Sequence, residues 1–211
     1  MLDAPLRARL DPVWDRLAVP LARAGVPPLV LTVAGLVLGL AAAVAAGFAL
    51  WWQALVLWLV SRVFDGLDGP LARASGAGET AFGGWADLTS DLAVYGVFVA
   101  GCAIGQPDAR VACLVLLVTY YVNGGSLLAY SAAAERARIP APDGRTFHFT
   151  RGLAEGTETI VVHALMVLFP AAMAAIAWVF AAAVLVTIGQ RVVLAHRALR
   201  AAAPAPPEPW S

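Results

Sequence analysis

The sequence predicts an all-α integral membrane protein, with six transmembrane helices preceded by an amphipathic juxtamembrane helix. Two observations carry this. The chain is 61% hydrophobic and only 13% charged, and several apolar runs approach or exceed the ~20 residues that cross ~30 Å of hydrocarbon. A third observation, the placement of arginine, sets the orientation. The 211 residues fit one domain, divided into a surface helix over 1–25, a membrane domain over 26–200 and a tail over 201–211. Formal charge is zero, so no global field points to nucleic acid.

Met1 to Gly25 places Leu6, Leu10, Val13, Trp14, Leu17 and Leu21 at helical spacing, with Arg7, Arg9, Arg16 and Arg23 elsewhere. This describes an amphipathic helix on the membrane surface, interrupted by Pro12 and Pro20. The polar lead is too long for a signal peptide. Six spans follow, at about 28–48, 50–66, 83–104, 110–134, 152–169 and 172–198. The breaks near Trp51, at Gly105 to Asp108 and around Pro170 fall on one side and contain only Arg110. The other side holds the N-terminal segment, the 67–82 connection, the 135–151 loop and the tail, with nearly all remaining arginines. The positive-inside rule then places both termini in the cytoplasm. The proline-rich tail reads as disordered.

Polar residues in so apolar a chain need an explanation. Asp65 and Asp68 are three apart, and Asp87 and Asp91 four apart, so on helices each pair shares one face. An Asp at the centre of a membrane helix costs ~2.5–3.5 kcal/mol, and four together repel, so a cation is the expected remedy. An all-oxygen donor set suits a hard ion such as Mg²⁺, Mn²⁺ or Ca²⁺ rather than zinc. The first pair is expected at the C-terminal end of a helix, where the macrodipole disfavours it, and the second near the start of the next. Arg73 and the surrounding glycines add a planar phosphate-matching fork and close backbone approach. Together these describe a site for a metal-bound diphosphate.

Asp65-x-x-Asp68-Gly69-x-x-Ala72-Arg73, followed by Gly83-x-x-x-Asp87-x-x-x-Asp91, resembles the signature of the CDP-alcohol phosphatidyltransferase family. Eight fixed positions agree. One departure is visible: nine residues, Ala74 to Phe82, separate Arg73 from Gly83 where the family usually has eight, which reads as a loop adjustment. Pro28-Leu29-Val30-Leu31-Thr32 resembles the start of the family's first span, with Leu29 where Asn is common.

The resemblance implies transfer of a substituted phosphate from a CDP-linked lipid, CDP-diacylglycerol for example, to a small alcohol, with release of CMP. It implies Mg²⁺ or Mn²⁺ held by Asp65, Asp68, Asp87 and Asp91, with Asp91 as the base. Gly69, Ala72, Arg73, Gly83 and Thr32 would contact the nucleotide and its phosphates. The resemblance also implies a homodimer and an inner (plasma) membrane enzyme, and the positive-inside rule turns its carboxylate site toward the cytoplasm. Rival readings are an intramembrane prenyltransferase and a cation transporter. The first usually carries its aspartates on distant helices, and the second leaves Arg73 and the glycines unexplained.

Acceptor candidates lie on other spans. Glu155, Glu158 and Thr159 share a helical face with Arg151 one turn earlier, either to orient an alcohol or to cap the fifth span. Arg191 would meet a phosphate or snorkel to headgroups. Asn123-Gly124-Gly125-Ser126 is either a helix joint or part of a polar cavity. Gly35, Gly39, Ala43 and Gly47 make a small-residue stripe for packing within the bundle. Cys102 and Cys113 read as buried hydrophobes, and His148 and His163 as structural or solvated.

Overall fold

The computed structural model describes residues 3–76, 78, 80–139 and 156–202. Among them every regular element is helical: α1 (Asp3–Arg23), α2 (Pro28–Gly47), α3 (Trp51–Ala74), α4 (Ala81–Gly105), α5 (Arg110–Arg136), α6 (Gly156–Leu168) and α7 (Met173–Ala201). Short 3₁₀ turns at Pro107–Ala109 and Pro170–Ala172 introduce α5 and α7. With these turns included, four helices are long and apolar enough to cross a membrane: Pro28–Gly47, Ala81–Gly105, Pro107–Arg136 and Pro170–Ala201. Beside them α3 carries Arg62, Asp65, Asp68 and Arg73, and α6 is described over 13 residues.

α2 packs on both α3 and α4, α5 on α7, and α3 on α1 and α6. Lipid tails are as apolar as the side chains, so close fit rather than the hydrophobic effect must hold such helices together. Small residues supply that fit. A Cβ on Gly101 or Gly105 of α4 would meet the backbone carbonyl oxygens of Ala43 or Ala46 on α2. On α2, a Cβ at Gly35 would lie 3.3 Å from the Ser61 carbonyl oxygen. The α2 stripe is thus spent within the bundle, as expected. Trp58 is fully buried at its centre among Tyr95, Phe98 and His163, and its indole N–H donates to the Ile160 carbonyl at 3.1 Å. At one end of the bundle, Gln106 donates to the Pro170 carbonyl at 3.0 Å and joins two turns.

Three expectations need correction. α1 is not interrupted, because it runs through Pro12 and Pro20. Trp14, Ala18, Leu21 and Ala22 pack on Leu31, Phe64, Leu67 and Leu71, and this packing offsets the hydrogen bonds the prolines remove. The helix expected as the second span does not end at 66. α3 continues through Gly66, Gly69 and Pro70 to Ala74, because Leu67, Leu71 and Ala72 are buried and extend its apolar face onto α1. The macrodipole argument therefore fails: Asp65 and Asp68 lie before the last turn of α3, Asp87 and Asp91 beyond the first turn of α4, and the effect fades within one turn.

The turn between α3 and α4 is short, with left-handed Gly76 (φ 72°) and Gly78 (φ 69°) at no steric cost. Thr80 closes it by capping α4, its Oγ1 accepting from the Gly83 N–H at 3.0 Å.

Candidate active site

Because α3 and α4 both pack on α2, their acidic faces meet. One carboxylate oxygen each from Asp65, Asp87 and Asp91 lies within 4.8 Å of the others. Asp68, one turn along α3 from Asp65, is not in that triad. Its Oδ2 accepts from the Thr32 hydroxyl at 2.7 Å, so this hydroxyl donates across to α3 and not back to its own helix. It ties α2 to the acidic face.

The group that sequence reasoning missed is Arg62. Its Nη1 donates to Asp91 Oδ1 at 2.6 Å and stands 3.5 Å from Asp65 Oδ2. Its Nη2 donates to Ser61 Oγ at 2.9 Å, and Ser61 donates in turn to the Gly35 carbonyl at 2.7 Å. The Arg62 side chain is 5% exposed, against 21% for Asp65 and 27% for Asp91. The carboxylates can thus be reached from outside while the guanidinium beneath them cannot. The signal was available, since an arginine inside an apolar run is expensive and marks function by default.

Several expected residues are engaged elsewhere. Arg73 occupies the last turn of α3 and pairs with Asp15 of α1 at 3.3 Å, both side chains more than half exposed. Such a pair is weak, and Asp15→Asn is expected to shift the thermal midpoint by less than ~1 kcal/mol equivalent, read by unfolding in detergent. Gly69 lies against Arg73, a Cβ there meeting its Nη1 at 3.7 Å; Ala72 is buried; the Gly83 N–H is occupied by Thr80.

Arg191 is buried and does not snorkel. Its Nη1 donates to the Asn123 carbonyl (2.7 Å), Asn123 Oδ1 (2.8 Å) and Ser126 Oγ (3.1 Å). The polar interruption of α5 is therefore a joint with α7. Glu158 lies in the first turn of α6, while Arg151, Glu155 and His148 lie outside the described residues, as does the tail beyond Ala202. His163 is fully buried, with Nε2 2.8 Å from the Tyr120 hydroxyl.

A helical membrane bundle that converges carboxylates and one guanidinium between two helices fits a membrane-embedded transferase acting on charged phosphates. Residues 26–189 match the CDP-alcohol phosphatidyltransferase family, and the chain belongs to it. Its members are transferases of phospholipid synthesis that use Mg²⁺ or Mn²⁺, and the aspartate triad is a donor set of that kind.

The chain is 34% identical over 195 residues to the inner membrane protein YnjF of Escherichia coli K12, covering 91% of this chain and 94% of that one. It is 31% identical over 197 residues to the phosphatidylinositol phosphate synthase of Mycobacteroides abscessus, covering 85% and 81%. The fold is similar to that of the Mycobacterium tuberculosis phosphatidylinositol phosphate synthase PgsA1, solved with CDP-DAG bound. There the TM-score is 0.70 at 24% identity, over 87% of this chain and 93% of that one. The same enzyme in complex with manganese and citrate gives a TM-score of 0.69 at 24% identity, over 87% and 88%.

Proposed function

We propose that the protein transfers a phosphatidyl group from CDP-diacylglycerol to the hydroxyl of a small polar alcohol, releasing CMP. The observation that carries this is the convergence of Asp65, Asp87 and Asp91 within 4.8 Å, with Asp68 held beside them by Thr32. Those four carboxylates would hold Mg²⁺ or Mn²⁺. When bound, the ion neutralises diphosphate charge and polarises the phosphoryl group.

The protein's own groups do the rest. Asp91, anchored on one oxygen by Arg62, takes the proton of the acceptor hydroxyl as its oxygen attacks the β-phosphorus. The new oxygen–phosphorus bond forms as the bond to the CMP oxygen breaks. Arg73 exchanges its exposed Asp15 partner for a donor phosphate, which Gly69, Ala72 and Gly83 allow to approach. Arg151, Glu155 and Glu158 orient the acceptor, and Arg191, held by Asn123 and Ser126, is a further cation for a phosphate on donor or acceptor.

In this reading α3 and α6 complete six membrane crossings, α1 lies at the membrane surface, and the site opens to the cytoplasm of the inner membrane. The exposed Val13, Leu17 and Val19 of α1 suit contact with lipid on the face that does not pack on α3. The working unit is a homodimer.

The test is CMP release from CDP-diacylglycerol by the purified protein in detergent, with Mg²⁺ or Mn²⁺, across a panel of alcohols. Release that requires both the metal and one alcohol is the expected result. A protein that binds neither donor nor metal would sink the reading and turn attention to ion transport.

A further inference from the structure

We propose that Arg62 is a positioning residue of this site: an internal guanidinium that fixes Asp91 and Asp65 and sets how strongly the carboxylates draw a divalent cation. The inference rests on the triad being the metal site, and metal binding by the unaltered chain tests that reading separately.

The guanidinium is held from three sides. Ser61 and the Gly35 carbonyl anchor Nη2 to α2. The Trp58 and Tyr95 rings lie 5.1 and 5.3 Å from its central carbon, a desolvated arrangement in which their faces favour a cation. The fork then presents Nη1 to Asp91 and Asp65. Nε is buried without a partner, so Nη1 and Nη2 and the two rings fix the group's orientation. An arginine used only to satisfy one carboxylate would not need an anchor on a third helix.

Charge explains what the arrangement does. Three ionised carboxylates within 4.8 Å carry a formal charge of −3 and repel one another. Arg62 brings the sum for the triad to −2 and so relieves part of that repulsion. It does so from the buried side, leaving the exposed side of Asp65 and Asp91 to the metal and substrate. With Oδ1 of Asp91 committed to Arg62, the other oxygen is left to accept a proton in a fixed place. The same positive charge repels the incoming metal, so order among the carboxylates is gained against some metal affinity.

This predicts opposite signs for two measurements, which a purely structural ion pair does not. Mn²⁺ binding is followed by the electron paramagnetic resonance signal of free Mn²⁺, and CMP release by steady-state kinetics, for the unaltered protein, Arg62→Gln and Arg62→Lys. Arg62→Gln is expected to bind Mn²⁺ roughly tenfold more tightly. Its kcat should fall on the order of 100-fold, with the donor KM within about threefold. Arg62→Lys keeps the charge without the fork, so it should show unaltered Mn²⁺ affinity and an intermediate kcat. Weaker Mn²⁺ binding by folded Arg62→Gln, or a kcat within threefold of the unaltered enzyme, overturns the proposal. Should Arg62→Gln not fold, Arg62→Lys decides: tenfold weaker Mn²⁺ binding by that folded variant also overturns it. Absence of Mn²⁺ binding by the unaltered chain instead rejects the triad as the metal site.

Discussion

Asp91→Asn is expected to lower CMP release by about 10²- to 10⁴-fold, the range that removal of a general base produces. The substitution is nearly isosteric, and an Asn oxygen can still accept from Arg62, which donates to Asp91 at 2.6 Å. The side chain therefore keeps its place and loses its proton affinity. Two other carboxylates of the triad, Asp65 and Asp87, remain to hold metal. Raising Mn²⁺ in the assay should thus restore little activity to Asp91→Asn. Asp65→Asn removes a triad carboxylate without removing the base, so added metal should recover part of its lost rate. Measuring kcat for both variants over a series of Mn²⁺ concentrations separates the roles. If excess metal restores Asp91→Asn to within tenfold of the unaltered enzyme, Asp91 is a ligand only and the base lies elsewhere.

The aspartates could be read from the sequence because their spacing is local. Three- and four-residue intervals on helices fix a shared face whatever the rest of the chain does, and the structure turns those faces toward each other. Thr32 was also singled out, but its bond to Asp68, 36 residues away, depends on how α2 lies against α3. That depends on Gly35 and Gly39, which admit Ser61 and Val94 to the α2 surface. Arg62 was passed over for a different reason. Hydropathy averages over a window and does not single out one arginine among Leu, Val and Trp. Its partner Asp91 sits 29 positions away on another helix, a pairing that no period reveals.

Helix ends were less legible than helix positions. Gly66, Gly69 and Pro70 follow one another where the sequence places the end of the second span. Burial of Leu67, Leu71 and Ala72 against α1 overrides those local signals. α1 shows the same contest, since its two prolines break a helix in isolation but not one whose Trp14 and Ala18 are docked. Arg191 shows the reverse, a charge late in α7 that reads as meeting a phosphate or lipid headgroups until α5 supplies Asn123 and Ser126. In each case a neighbour distant in sequence decided between two locally reasonable outcomes.

The packing of α2 on α4 leads to the second large effect. Gly101→Ala adds one methyl group, yet that carbon would stand against the Ala43 carbonyl oxygen, closer than Cβ atoms come to backbone. Neither partner is a flexible side-chain end, so the helices themselves must separate. Separation would also loosen Gly105 from Ala46 one turn further along. Overpacking a close-fitted core costs 1–3 kcal/mol, and with backbone on both sides a loss of about 3 kcal/mol is expected. Gly96 on the same helix supplies the control, because a Cβ there meets nothing within 4 Å. Gly96→Ala should hold or raise stability by up to ~1 kcal/mol through helix propensity alone. Thermal unfolding in detergent of the two variants, beside the unaltered protein, reads the difference directly. Similar midpoints for Gly101→Ala and Gly96→Ala would mean that α2 and α4 do not approach through Gly101. The shared surface on which α3 and α4 align their aspartates would then have to be held by other contacts.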